Sequence, residues 1–294
     1  MFERIVVPLD GSELAEAVVG QVRRILLHKD AEVILVRAVV LPADPAWDSP
    51  ELPAIMQGQA ANYLSKIAGD LSVQGASVRT VTRVGIPADV ILDVAAEEQA
   101  TLITMTTHGR SGIARWTFGS VAEKVLRASR IPVLALRSFA GVLRKPISEL
   151  PIGKILVPID ASDLSLEVVP PAAELATLFG SHVVLINVCE DQACSIPVPQ
   201  MTEAYERFRA AGVSVEPLMK QGDPAFQILE ACCDQKADLI AISTHGRTGA
   251  SRWLLGSVTE KVLRSSSVPI LIVRPLKAAI PRKEESLSAR AGST

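Results

Sequence analysis

The sequence repeats when slid along itself, and no other feature constrains its fold as tightly. Arg4-Ile5-Val6-Val7-Pro8-Leu9-Asp10-Gly11-Ser12 returns as Lys154-Ile155-Leu156-Val157-Pro158-Ile159-Asp160-Ala161-Ser162, at an offset of 150. Thr107-His108-Gly109-Arg110-Ser111-Gly112 returns as Thr244-His245-Gly246-Arg247-Thr248-Gly249, at an offset of 137. Glu32 to Val39 still match at 150, whereas Gly75 and Gly85 match Gly212 and Gly222 at 137, so the first copy carries 13 extra residues between about 40 and 60. That stretch, Leu41 to Gly58, holds Pro42, Pro45, Pro50 and Pro53 and reads as a loop.

A chain of 294 residues has room for two domains of about 150 residues each. The repeat places them at 1–140 and 154–276, with a linker at 141–153 containing Gly141, Pro146 and Pro151. Residues 277–294 turn polar and lose periodicity, which reads as a disordered tail. Within the first copy, strands and helices alternate. Ile5 to Leu9 is a strand, and the helix after Ser12 carries Leu14, Ala17, Val18, Val22, Ile25 and Leu26 on one side. Val33 to Val39 is a strand buried on both faces, and a helix spans Ala60 to Leu71. The more polar Val78 to Val84 suits a sheet edge. A helix opens at Pro87, the strand Thr101 to Met105 follows, and a glycine loop leads to a helix at Ser120 to Ala128 and a strand at Val133 to Leu136.

The second copy repeats this plan from Ile155 to Val273, with Pro170-Pro171 inside its first helix, where a kink or a restart is expected. The fold class is therefore α/β: two tandem open-sheet, Rossmann-like domains, each with five parallel strands and four helices.

Composition excludes several roles. With 30 Lys and Arg against 32 Asp and Glu, net charge −2, nothing favours nucleic acid or anionic lipid as a partner. No apolar run approaches the roughly 18 to 20 residues that span a bilayer, and Met1-Phe2-Glu3-Arg4 has no signal-peptide layout. A soluble, cytoplasmic protein is expected. Four cysteines, Cys189, Cys194, Cys232 and Cys233, lack the paired spacing of a zinc site or dithiol centre, and disulfide stapling is not expected. Cys232 and Cys233, adjacent on a helix, read as one buried and one partly exposed thiol.

The most chemical information lies in Thr106-Thr107-His108-Gly109, nine residues, then Gly119-Ser120-Val121-Ala122. Its copy is Ser243-Thr244-His245-Gly246, nine residues, then Gly256-Ser257-Val258-Thr259. Each joins a strand to a helix, and in an open parallel sheet that junction presents backbone N–H groups to an anion such as phosphate. The glycines are expected to supply backbone angles denied to other residues and to keep a Cβ off the phosphate oxygens; Ser120 adds a hydroxyl. Pro8-Leu9-Asp10 and Pro158-Ile159-Asp160 put a carboxylate at the end of each first strand, able to accept from a ribose hydroxyl or an adenine amine. Asp10 and Ser12 could equally cap the first helix.

These segments resemble the universal stress protein family, whose nucleotide-binding members carry glycine, two residues, glycine, nine residues, glycine and Ser or Thr. The resemblance covers nearly the whole chain as two tandem domains and implies the strand order 3-2-1-4-5. It departs at Thr106 and Ser243, which stand at the family's first glycine, where a Cβ could crowd the ribose or α-phosphate. The resemblance implies that Asp10 and Asp160 hold the adenosine end, with Pro8, Leu9, Pro158 and Ile159 beside them and the backbones of Ala38 and Val188 reading the base. Gly109, Gly119 and Ser120 would cradle phosphates in the first copy, and Gly246, Gly256 and Ser257 in the second. Val121, Ala122, Val258 and Thr259 follow as helix N-terminal donors, and Met105, Thr106, Ile242 and Ser243 close the strand ends. ATP is the implied ligand, with Mg2+ on its phosphates, although no metal-ligand cluster in the sequence demands the ion.

His108 and His245 read as loop-shaping hydrogen bonders, since neither copy shows a nucleophile and carboxylate arranged as a triad. Arg110 and Arg247 suit phosphates or surface ion pairs equally, and Trp116 and Trp253 suit packing of the loop. The expected function is an ATP-binding regulatory module acting on an unidentified protein partner. A slow ATPase is the enzymatic alternative, weakened by the lack of a Walker lysine loop; a scaffold that has lost nucleotide binding is the third. The last strands, Val133 to Leu136 and Ile270 to Val273, are apolar edges in that order, so the domains are expected to dock as a pseudo-twofold pair, with a homodimer left open.

Overall fold

The computed structural model describes residues 2–42, 50–72, 76–107, 119–137, 152–189, 197–244 and 255–275. The first half runs β1 (Arg4–Pro8), α1 (Glu13–Leu26), β2 (Glu32–Val39), α2 (Leu52–Ser72), β3 (Ser77–Val84), α3 (Pro87–Glu97), β4 (Leu102–Thr106), α4 (Ser120–Ala128) and β5 (Val133–Leu136). The second runs β6 (Lys154–Pro158), a 3-10 segment (Asp163–Val168), α5 (Val169–Phe179), β7 (His182–Cys189), α6 (Pro199–Ala210), β8 (Val215–Gln221), α7 (Pro224–Asp234), β9 (Leu239–Ser243), α8 (Ser257–Ser265) and β10 (Ile270–Val273). All ten strands form one sheet, in the order β3-β2-β1-β4-β5-β10-β9-β6-β7-β8. Each half therefore has the order 3-2-1-4-5 with parallel pairing throughout.

The halves meet where β5 pairs antiparallel with β10: Ala135 opposite Ile270, Leu134 opposite Leu271, Val133 opposite Ile272. Under the 137-residue repeat the first of these pairs maps onto the third, so the joint is its own image, as an isologous contact requires. Each strand covers the other's open N–H and C=O groups, and all eight side chains are buried. Lys29 Nζ reaches across to Glu174 Oε1 at 3.2 Å, and Arg24 lies over the Phe179 ring. The outer edge β3 is blunted by charge: Arg79 pairs with Glu98 at 2.8 Å and Arg83 with Glu97 at 2.6 Å.

Alternation along the strands fills both faces. Ile5, Val7, Val33 and Leu35 pack under α1 and α2, while Val6, Ile34 and Val36 pack under α3 and α4. Pro170 and Pro171 restart the first helix of the second half: a 3-10 segment ends at Val168 and α5 begins at Val169, putting both prolines in its first turn.

Two expectations are corrected. The stretch read as loop from Leu41 to Gly58 is helical from Leu52, because Pro53 falls in the first turn of α2, where its missing N–H leaves no bond unmade. Cys189 is disulfide-bonded, against the expectation of no disulfide. Cys232 and Cys233 are free, one buried and one exposed, and burial pushes the Cys232 thiol up to about 11, which makes it a poor nucleophile.

Candidate functional site

The carboxyl ends of β1, β2 and β4 open into a cavity of about 450 Å3. From β1 and its loop come Pro8, Leu9 and Asp10; from β2, Ala38; from β4, Met105 and Thr106; and from the start of α4, Gly119, Ser120, Val121 and Ala122. Every described candidate of the first half thus lines one cavity. His108, Gly109 and Arg110 lie outside the described residues, as do His245, Gly246, Arg247, Trp116 and Trp253.

Of the helices that start at the sheet's carboxyl end, α1 and α4 have different N-termini. At α1, Ser12 Oγ accepts from Ala15 N at 3.2 Å, and Asp10 Oδ1 accepts from Ser12 N at 2.9 Å and from Ser12 Oγ at 2.6 Å. Ser12 is thus the helix cap, and Asp10 braces it while lining the cavity. At α4, Gly119 is the N-cap and, among the described residues, no side chain caps the helix. Its first N–H groups lie beyond the reach of intrahelical bonds, and the residues that carry them line the cavity, with the positive end of the helix dipole behind them.

Gly119 and Gly256 do not supply the special backbone angles expected of them. Gly119 has φ −62°, ψ 138° and Gly256 has φ −54°, ψ 144°, angles open to any residue. What Gly256 supplies is closeness. Gly256 N donates to Thr244 O at 2.8 Å, and a Cβ on Gly256 would stand 2.6 Å from that oxygen. Gly119 N donates to Thr107 O at 2.9 Å in the same way.

The second half repeats the brace: Asp160 Oδ1 accepts from Ser162 N at 2.9 Å and from its hydroxyl at 2.6 Å. Pro158 and Ile159 end β6, Val188 precedes the last residue of β7, and Ile242 is buried in β9. Ser243 turns its hydroxyl onto Leu164 O at 3.0 Å, so this departure from the family's glycine is absorbed by the 3-10 segment. Gly256, Ser257 and Val258 open α8, and Thr259 Oγ1 donates to Ser243 O at 2.9 Å, tying α8 to the end of β9.

The sequence reading missed several lining residues: Arg37 on β2, Met56, Gln59 and Ala60 on α2, and Pro87 and Ile91 on α3. Arg37 stacks over the Tyr63 ring at 4.7 Å, and the Tyr63 hydroxyl donates to Glu16 Oε1 at 3.0 Å. Burial and the Glu16 carboxylate push the Tyr63 phenol above its ordinary range. Among the described residues no three His, Cys, Asp or Glu side chains gather as a metal site. Among them, too, no helix is long and apolar enough to cross a membrane.

The class is an α/β protein with a parallel-rich sheet and a ligand-sized crevice at the strands' carboxyl ends. The model of the universal stress protein family matches residues 1–137 and 199–274, and the chain belongs to that family. A universal stress protein of Mycolicibacterium smegmatis is 26% identical, covering 92% of this chain and 97% of its own length. A crystal structure of a universal stress protein from Archaeoglobus fulgidus shares the fold at a TM-score of 0.73 and 22% identity, covering 93% of this chain and 97% of that one. Another solved universal stress protein, in complex with cAMP, is 28% identical over 42% of this chain and 98% of its own, at a TM-score of 0.37.

Proposed function

We propose that this chain is an adenine-nucleotide-binding regulatory member of its family, with ATP as ligand of the first cleft. The supporting observation is the cavity itself, which gathers all the described first-half candidates around an uncapped helix N-terminus. Its volume, about 450 Å3, falls in the range of small-molecule sites. In this reading the α4 N–H groups and the Ser120 hydroxyl hold phosphate, while Asp10 and the Ala38 backbone hold the adenosine end. Asp160, Val188, Gly256, Ser257, Val258 and Thr259 form the corresponding second site. The halves act as an intramolecular pseudo-dimer, and nucleotide occupancy tunes the surface offered to a protein partner.

Calorimetric titration with ATP, ADP, AMP and cAMP tests it. The wild-type chain should bind ATP saturably, and Ser120→Ala should weaken binding about tenfold by deleting one hydrogen bond to a charged group. No heat, together with no rise in melting temperature at millimolar ATP, would overturn the reading.

A further inference from the structure

Because both halves derive from one repeat, each position at one cleft has a counterpart at the other. Four differ together: Gly11, Glu16, Arg37 and Tyr63 stand where the second half has Ala161, Leu166, Asn187 and Gln200. In the second half these positions serve the fold. Leu166 is core, Asn187 Nδ2 donates to Ile159 O at 2.8 Å, and Gln200 Nε2 donates to Asp163 Oδ1 at 3.0 Å.

In the first half the same four positions hold a cation in the cavity. Glu16 fixes the Tyr63 hydroxyl at 3.0 Å, and the Tyr63 ring supports the face of the Arg37 guanidinium at 4.7 Å. Gly11, at φ +85°, leaves the space, since a Cβ there would stand 3.1 Å from Arg37 Nη2. Arg37 lines the cavity, and among the described residues no carboxylate pairs with it and no acceptor takes its N–H donors. A guanidinium braced on its face, with its edge unclaimed by protein, is matched to a planar or tetrahedral oxyanion.

Arg37 and the α4 N-terminus are carried by different strands. Strand β1 stands between β2 and β4, so the two seats are two strand spacings apart at the backbone, about 10 Å. An arginine near the end of the second strand is also how dinucleotide-binding sheets accommodate a 2′-phosphate. We propose that Arg37 is a second anion seat, through which the first cleft selects adenine nucleotides carrying a phosphate on the ribose edge besides the 5′-phosphate. The inference rests on the nucleotide reading of this cleft, and the second cleft, with Asn187, does not share the preference.

The test compares 5′-AMP with adenosine 2′,5′- and 3′,5′-bisphosphate by calorimetry on the full chain. The wild type should bind one of the bisphosphates at least about tenfold more tightly than AMP, at one site per chain, the gain expected of one charge-assisted contact. Arg37→Asn, which installs the second half's residue, should bring that ratio to within about twofold of one, and Arg37→Lys, keeping charge without the fork, should give an intermediate ratio. A wild-type ratio near one with AMP still bound would overturn this inference and leave the nucleotide reading standing. So would a preference that survives Arg37→Asn or appears at two sites per chain. No binding of any of the three would overturn this inference, and only if ATP, titrated beside them, also failed to bind would the nucleotide reading fall with it.

Discussion

Replacing Gly256 with alanine probes the tightest joint of the second half. The new Cβ would meet Thr244 O at 2.6 Å, against the 3.4 Å at which ordinary contact begins. Backbone must therefore move apart by about 0.8 Å, an overpacking strain of about 1–3 kcal/mol. The same movement stretches the 2.8 Å bond from Gly256 N to Thr244 O past the limit of about 3.2 Å for such bonds, a further loss of about 1 kcal/mol. Together they amount to about 2–4 kcal/mol. At about 2 °C per kcal/mol for a chain of this size, the melting temperature should fall by about 4–8 °C in differential scanning calorimetry. Gly69→Ala is the control: the residue lies inside α2 with nothing within 4 Å of an added Cβ, and the exchange should stabilise by about 0.5–1 kcal/mol. A Gly256→Ala protein melting within about 1 °C of wild type would refute the reasoning, for the joint would then have slack.

Leu271→Ala should lower stability by about 2–5 kcal/mol in urea titration, because Leu271 is 1% exposed and packs in the seam opposite Leu134; a loss below about 1 kcal/mol would mean the seam is loosely packed. Asp223 caps α7, and the Phe226 N–H and the Lys261 ammonium hold its carboxyl below the ordinary 3.8. That stabilisation is complete above the unfolded value and is lost as pH falls through the depressed folded one. Asp223→Ala should thus cost about 1 kcal/mol near neutral pH and show a shallower acid-side decline, an outcome contradicted by parallel curves. Thiol titration should find Cys233 reactive in the native protein, and Cys232 only after denaturation. Denatured without reductant, the chain should show two thiols, whereas four would contradict the disulfide at Cys189.

The sheet was legible because its evidence is local and doubled. Ile5 to Leu9 and Val33 to Val39 read as strands on β-branched runs alone, and their return in the second half confirmed the period. The order of strands came from the family resemblance, and the apolar Val133 to Leu136 then demanded the cover that β10 provides. Helix α2 was read too short because prolines at 42, 45, 50 and 53 signal breaks, and only position along a helix distinguishes a break from a first turn.

At the site, Asp10, Gly119 and Ser120 stood out because they sit at strand and helix ends, where chain geometry alone predicts a crevice. Arg37 was missed for a physical reason: a lone arginine in a buried strand carries no periodic signal, and its brace, Tyr63, lies 26 residues away on another element. Aligning the halves shows that Gly11, Glu16, Arg37 and Tyr63 differ from their counterparts, but so do most aligned positions, and only the folded structure brings these four together. The special backbone angles expected of Gly119 and Gly256 are absent because φ and ψ cannot be read from a spacing, whereas the closeness of Gly256 to Thr244 appears only once the strand end and helix start are placed side by side.

Photolabelling with an 8-azido-adenine nucleotide, followed by peptide mapping, tests the central claim most directly, since it reports both binding and place. The account predicts label in the segments 36–40, 56–60 or 119–122 that wall the first cavity, suppressed by excess ATP. Label elsewhere only, or label that ATP does not displace, would contradict it.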